Sequence, residues 1–468
     1  MISASLSSAG DLFAGVPKAL ADRPNILFCL ADDWAWPHAG AYGDEIVKTP
    51  NFDRVAHQGF LFTHAFSAVP SCTPSRGAIL AGQYPHRLEE GGNLYGFLPK
   101  KFAVYPDSLE DAGYVVGFTR KGWGPGQFQA GGRNRNPAGP DFKTFQDFLK
   151  TVPAEKPFCF WFGGYDPHRP YDKGAGLAAG MKPEAIVVPP YLPDTPEIRS
   201  DILDYYIEVE RFDRDVGELL QVLEAAGKVQ NTLVVITGDN GWPFPRSKAN
   251  LYDSGTRQPF ALRWPARFNG GKTIEAFVNL ADLAPTFLEA AELKPSPEMT
   301  GRSLLPLLAG KSQRGRDKVF VERERHANVR KGDLSYPARA VRTGQFLYIR
   351  NFRPDRWPAG DPETWQAVGP FGDCDGSPSK EFILTHRDDP PFAKFFQLTF
   401  GKRPAEELYD LAKDPHQTTN VADRSEYAAA KKKLRTALDR WMRDTKDPRA
   451  ISDDDRWDRY PYFGRGPR

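Results

Sequence analysis

Asn25-Ile26-Leu27-Phe28-Cys29-Leu30-Ala31-Asp32-Asp33 is an apolar run of strand length that ends on two adjacent carboxylates. Comparable runs recur at Tyr114–Thr119, Phe158–Phe162, Thr232–Thr237 and Phe260–Arg263, with helical patterns between them. That alternation predicts an α/β fold whose sheet carries helices on both faces. Pro196 to Ala226 reads as one long helix, opened by Pro196 behind a Thr195 cap and closed by Gly227. Val209, Phe212, Val216, Leu219, Leu220 and Leu223 give it an apolar face at helical spacing.

The 468 residues exceed one ordinary core, so a large domain with a smaller companion is expected. The character of the chain changes near residue 335. Strand-like runs at Ala338–Arg342 and Phe346–Asn351 lead into a Pro/Gly/Asp-rich stretch up to Pro391 and then a terminal helix over roughly 425–444. The reading is an N-terminal tail (1–23), a main domain (24–335) and a smaller α+β domain (336–468) with an antiparallel sheet and the terminal helix.

With 62 basic and 60 acidic residues the net charge is +2, so no global field draws the chain to nucleic acid or membrane. No apolar stretch approaches the roughly 18 residues of a membrane span. Four cysteines, at 29, 72, 159 and 374, are too few and scattered for a disulfide framework. The first 21 residues end in Ala19-Leu20-Ala21, which resembles a signal-peptidase site, but lack a basic n-region and a continuous apolar h-region. They read as a degenerate export signal or a tail. A periplasmic or secreted location is expected, with a cytoplasmic one left open; oligomeric state is not legible.

Charged groups stand directly after the apolar runs, at the carboxyl ends of the expected strands, where open α/β sheets bind ligands. Asp32-Asp33, Lys121, Asp166-Pro-His168 and Asp239-Asn240 follow four successive runs, and Lys248 lies in the loop beyond the last. Asp32, Asp33, Asp239 and Asn240 offer hard oxygen ligands of the kind that hold Ca²⁺ or Mg²⁺. Taken singly, such carboxylates also serve as turn or helix caps, His168 as a turn histidine, and Lys121 and Lys248 as surface charge.

Cys72-Thr73-Pro74-Ser75-Arg76 has the Cys-x-Pro-x-Arg pattern, with Pro74 in what reads as the first turn of a helix. Together with Asn25–Asp33, Thr237-Gly-Asp-Asn-Gly241 and Leu408-Tyr-Asp-Leu-Ala-Lys-Asp-Pro415, in that order, it resembles the sulfatase family over nearly the whole chain. Asp166-Pro-His-Arg-Pro170, Asp239-Asn-Gly-Trp-Pro-Phe-Pro245 with Asn250-Leu-Tyr252, and Tyr336-Pro-Ala-Arg339 are similar to its heparan N-sulfatase branch.

The resemblance implies an alkaline-phosphatase-like sandwich, with a large mixed, mostly parallel sheet flanked by helices and a smaller C-terminal α+β domain. It implies conversion of Cys72 to formylglycine (3-oxoalanine) by a formylglycine-generating or other maturating enzyme. It also implies one Ca²⁺ held by Asp32, Asp33, Asp239, Asn240 and the modified Cys72. Arg76 would support the formylglycine, Lys121 and Lys248 would face the sulfate, and His168 would protonate the leaving group. Where the family has a histidine two residues past the lysine, this chain has Trp123, expected to bind a sugar face or close the pocket. His326 and Arg339 are further expected substrate contacts, the former in the strip Glu322-Arg-Glu-Arg-His326.

The expected activity is hydrolysis of a sulfated saccharide, N-sulfoglucosamine at the non-reducing end of heparin or heparan fragments in the first instance. Alternatives are an O-sulfatase on another glycan, a phosphonate or phosphate monoester hydrolase, and an unmodified sulfoglycan-binding protein.

Overall fold

The computed structural model describes residues 22–311, 314–365 and 369–464; the tail reading for residues 1–21 lies outside them. The apolar run Asn25–Ala31 is a strand buried at every position. Successive side chains of a strand point to opposite faces, so a strand covered on both sides must be apolar throughout. Leu27, Cys29 and Ala31 pack with Val209, Phe212, Val216 and Leu220 of the long helix Pro196–Ala225. Ile26, Phe28 and Leu30 pack on the other face with Ile79, Leu80 and Phe287. Each such leucine or phenylalanine contributes roughly 1.5–3 kcal/mol by leaving water.

Seven strands form the main sheet, in the order Val115–Arg120, Phe158–Gly163, Asn25–Ala31, Thr232–Gly238, Phe260–Arg263, Phe60–Phe62, Lys272–Ile274. The first four are mutually parallel, and Phe260–Arg263 runs antiparallel to both its neighbours. The sheet is therefore mixed and mostly parallel, as expected. Its register positions the site: Ala31 pairs with Gly238, Leu30 with Gly163 and Arg120 with Gly163, so four chains leave the sheet at one level.

A separate antiparallel sheet joins Lys318–Arg323, Ala338–Thr343, Phe346–Asn351 and Glu406–Asp410. It starts upstream of residue 336. Leu434, Leu438, Trp441 and Met442 of the helix Ala428–Asp444 cover one face with Val341, Tyr348 and Leu408. One local expectation fails. Thr195 has the extended backbone of a helix cap, yet its side chain makes no capping hydrogen bond, so the start of the long helix relies on Pro196 and on packing. Among the described residues no helix is long and apolar enough to cross a membrane.

Candidate active site

Asp32 and Asp33 turn away from the sheet immediately after their strand. The Asp32 N–H donates to the Asp166 carbonyl at 3.1 Å. Asp33 takes φ +73°, a left-handed conformation aspartate tolerates better than most residues, and its N–H donates to Asp239 Oδ1 at 3.1 Å. Two strand ends are thus stitched together by the carboxylates themselves.

Cys72 is the first residue of a ten-residue helix, Cys72–Ala81, buried along its whole length and closed by Gly82 at φ +65°. Its Sγ lies 3.3 Å from Asp32 Oδ1 and 3.8 Å from Asp33 Oδ1. Burial, reinforced by the Asp32 carboxylate, pushes the thiol well above its ordinary pKa. A nucleophilic cysteine needs the opposite environment, one that favours the thiolate. This position suits a neutral group on the floor of an anion-accepting cleft.

The next turn of the helix fixes the surroundings. Ser75 Oγ donates to the Asp239 carbonyl at 2.5 Å. Arg76, fully buried, donates from Nε to Asp239 Oδ2 at 2.7 Å and from Nη1 to the carbonyls of Lys121 and Gly122 at 2.8 and 3.0 Å. One guanidinium therefore ties three elements of the site. Lys121 Nζ donates to Asp32 Oδ2, and Lys248 Nζ donates to Asp33 Oδ2 at 2.7 Å. Burial alone raises the Asp32 carboxyl, but Lys121, His168, Arg76 and Lys248 outweigh it and hold the group far below the usual range. Burial, with Asp32 and Asp33 adding to it against Arg76 and Lys121, pushes Asp239 up to about 6.

Asp32, Asp33, Cys72 and Asp239 each place a possible ligand atom within 4.8 Å of the others. Asn240 donates Nδ2 to Asp33 Oδ1 at 2.6 Å, while its Oδ1 is buried without a hydrogen-bond partner. A buried orphan acceptor costs about 1–3 kcal/mol, which a cation would offset. Three carboxylates and an amide oxygen fit a hard divalent ion such as Ca²⁺.

Above this floor opens a cleft of about 1090 Å³, lined by Asp32, Cys72, Lys121, Trp123, His168, Lys248 and His326 among others. His168 Nδ1 lies 2.5 Å from the Arg169 carbonyl, an atom that only accepts. The proton is therefore on Nδ1, and Nε2, 3.8 Å from Asp33 Oδ2, is the nitrogen turned to the site. His326 Nδ1 meets Ser71 Oγ at 2.8 Å, and burial, with Lys248 and Arg323 acting against Asp373, lowers its pKa to about 4. Trp123 is buried in the wall of the cleft. Its loop is clamped by Asn136, which accepts from the Trp123 N–H and donates to its carbonyl, both at 2.9 Å.

Two of the N-sulfatase-like blocks interlock. Arg169 stacks on Tyr171 and Phe244, donates to the Pro243 carbonyl at 2.9 Å and forms a fork with Asp201 at 2.7 and 2.8 Å. The loop carrying His168 is thereby locked to the loop carrying Lys248. The third block behaves differently. Arg339 does not line the cleft; it is buried between Asp447, at 2.6 Å, and Glu324, at 2.8 Å, with Glu322 at 3.6 Å. The strip 322–325 is likewise buried and does not line the cleft. Glu322 accepts from His86, Arg323 pairs with Asp373, Glu324 with Arg449, and Arg325 binds backbone carbonyls; only His326 reaches the cleft.

Sequence reasoning missed Asp375. It lines the cleft and accepts from Lys248 Nζ at 3.1 Å, and Lys248, His168 and His326 hold its carboxyl low against the effect of burial. Its segment is held by Ser379 Oγ, which donates to Asp201 at 2.6 Å. Cys374-Asp375 lies in the Pro/Gly/Asp-rich stretch, where no periodicity marks it.

An α/β sheet with an acidic, cation-ringed floor at the carboxyl ends of its parallel strands defines the class, and the chain belongs to the sulfatase family, whose model matches residues 24–293. A second model, "N-sulphoglucosamine sulphohydrolase, C-terminal", matches residues 238–363. The chain is similar to human N-sulphoglucosamine sulphohydrolase, with 30% identity covering 91% of each protein. Its fold is similar to that of BT4656 in complex with its substrate D-glucosamine-2-N,6-O-disulfate, with TM-score 0.64, 19% identity, and 92% and 99% of the two chains covered. It is also similar to that of the phosphonate monoester hydrolase of Agrobacterium radiobacter, with TM-score 0.66, 18% identity, and 90% and 96% covered.

Proposed function

We propose that the protein is a formylglycine- and Ca²⁺-dependent N-sulfoglucosamine sulfohydrolase acting on the non-reducing end of heparin or heparan fragments. The observation that carries this reading is the 30% identity to the human N-sulphoglucosamine sulphohydrolase over 91% of both chains. The interlocked Arg169 and Pro243 blocks around the cleft support it.

Formylglycine made from Cys72 would supply, as its hydrate, the hydroxyl that attacks sulfur. Ca²⁺ at Asp32, Asp33, Asp239 and Asn240 would supply Lewis-acid polarisation of the oxygens beside it. Lys121 and Lys248 balance charge on the transferring sulfuryl oxygens. Arg76 keeps Asp239 and the Lys121 backbone in place. With Nδ1–H fixed on the Arg169 carbonyl, His168 carries its exchangeable proton on Nε2 and delivers it to the departing nitrogen. His326, held near pKa 4, is neutral at pH 7 and serves as a hydrogen-bond partner, not as the acid.

The test is sulfate release from glucosamine N-sulfate beside 6-O-sulfated N-acetylglucosamine. The expected kcat/KM favours the N-sulfate by at least about a hundredfold, or roughly 3 kcal/mol. Preference for the 6-O-sulfate points to the O-sulfatase alternative. Preference for a phosphonate monoester points to the third reading, the one the Agrobacterium radiobacter fold favours.

A further inference from the structure

The cleft is larger than a single sulfated sugar requires, since pockets of about 300–1000 Å³ enclose drug-sized ligands. Its two ends also differ. The floor is polar and buried, with Cys72, Asp32, Lys248 and His326 all at or below 5% exposure. The mouth is aromatic and open: Tyr95, Tyr165, Tyr462 and Phe463 line it, with Tyr165 57% and Phe463 42% exposed.

The C-terminal segment 460–464 supplies half of that mouth, and it is anchored there. The Phe463 N–H donates to the Tyr95 carbonyl at 2.8 Å, and the Tyr462 ring meets the Tyr95 ring edge-on at 5.1 Å. From inside, Arg325 donates to the carbonyls of Tyr460 and Pro461 at 2.7 and 3.2 Å. Upstream, Trp457 is fully buried. Large apolar side chains held open beside a polar floor mark a surface that awaits a ligand with an apolar face. A pyranose ring presents one in its axial C–H bonds, and an aromatic ring offers it area at little entropic cost.

We infer that Tyr462 and Phe463, with Tyr95 and Tyr165, form a second saccharide subsite that stacks on the sugar next to the one bearing the scissile sulfate. The inference rests on the glycan reading of the site above. A sugar bound at its non-reducing end with its sulfate on the floor extends its glycosidic neighbour outward, through this mouth. The tail of the chain is then part of the substrate-binding wall, and the protein selects oligosaccharides over monosaccharides.

The test uses the full-length Cys72→Ala protein with Ca²⁺, which binds without turnover, and calorimetric affinities for glucosamine N-sulfate and for a disaccharide carrying it at the non-reducing end. The disaccharide is expected to bind about tenfold more tightly. Tyr462→Ala and the more exposed Phe463→Ala are each expected to lower the disaccharide-to-monosaccharide ratio toward one, with melting temperatures confirming the fold. Equal affinities for monosaccharide and disaccharide in both the N-sulfated pair and the corresponding 6-O-sulfated pair, or a ratio unmoved by either substitution, would overturn the subsite. The same pair carrying a 6-O-sulfate separates the two claims. A disaccharide advantage seen only there, and lost in Tyr462→Ala, upholds the subsite and rejects the N-sulfatase reading.

Discussion

Arg76 and Asp239 form an ion pair from which water is wholly excluded, Nε to Oδ2 at 2.7 Å with neither side chain exposed. Removing one member of such a pair strands the other charge, at a cost of about 3–5 kcal/mol. Arg76→Ala is therefore expected to lose stability of that order, read from chemical denaturation. Arg76→Lys should lose nearly as much, because an ammonium cannot reach Asp239 and the carbonyls of Lys121 and Gly122 together. A loss under about 1 kcal/mol for Arg76→Ala would mean that the pair does not organise the site.

The sheet was legible because its central strands are buried on both faces, which forces an unbroken apolar run such as Asn25–Ala31, and because the charged residues of the cleft floor follow those runs directly. The start of the Cys72 helix was legible from Pro74. Other features depend on packing that leaves no local trace. Arg339 reads in sequence as a substrate contact, and nothing local marks Glu324 as its buried partner, yet the two pair away from the cleft. Asp375 and the segment 460–464 reach the cleft only through contacts distant in sequence, Asp375 to Lys248 and Phe463 to Tyr95.

Metal binding should be visible without any turnover. A ligand that binds only the folded state stabilises it by about 2.7 kcal/mol at a hundred times its Kd, so Ca²⁺ should raise the melting temperature of the wild type and a chelator should reverse the shift. Asn240→Ala removes the orphan Oδ1 and should abolish most of the shift. An undiminished Ca²⁺ response in that variant would place the ion elsewhere.

His168→Ala should slow substrates with poor leaving groups far more than activated aryl sulfates, since an activated phenolate departs without a proton. The comparison of kcat on the two substrate types decides. Equal losses would make His168 a positioning residue.

His326 gives a pH signature. Its folded pKa, near 4, lies below the unfolded value of 6.5, so between those limits the unfolded chain binds the extra proton. The stability is complete above about pH 6.5 and falls as the pH drops toward 4, by about 3 kcal/mol in all. His326→Gln lacks this group, so the stability gap between wild type and variant should change by that amount between pH 7 and pH 4. A constant gap would show that His326 is not held neutral.

In the proposed function the chemistry of the cleft turns on residue 72. The most direct measurement is the mass of the Cys72-containing peptide in protein coexpressed with a formylglycine-generating enzyme, taken alongside sulfate release from the same preparation. Conversion of the thiol to the aldehyde lowers that mass by about 18 Da, and activity should rise in proportion to the converted fraction. A fully active preparation in which the peptide carries only unmodified cysteine would contradict the account.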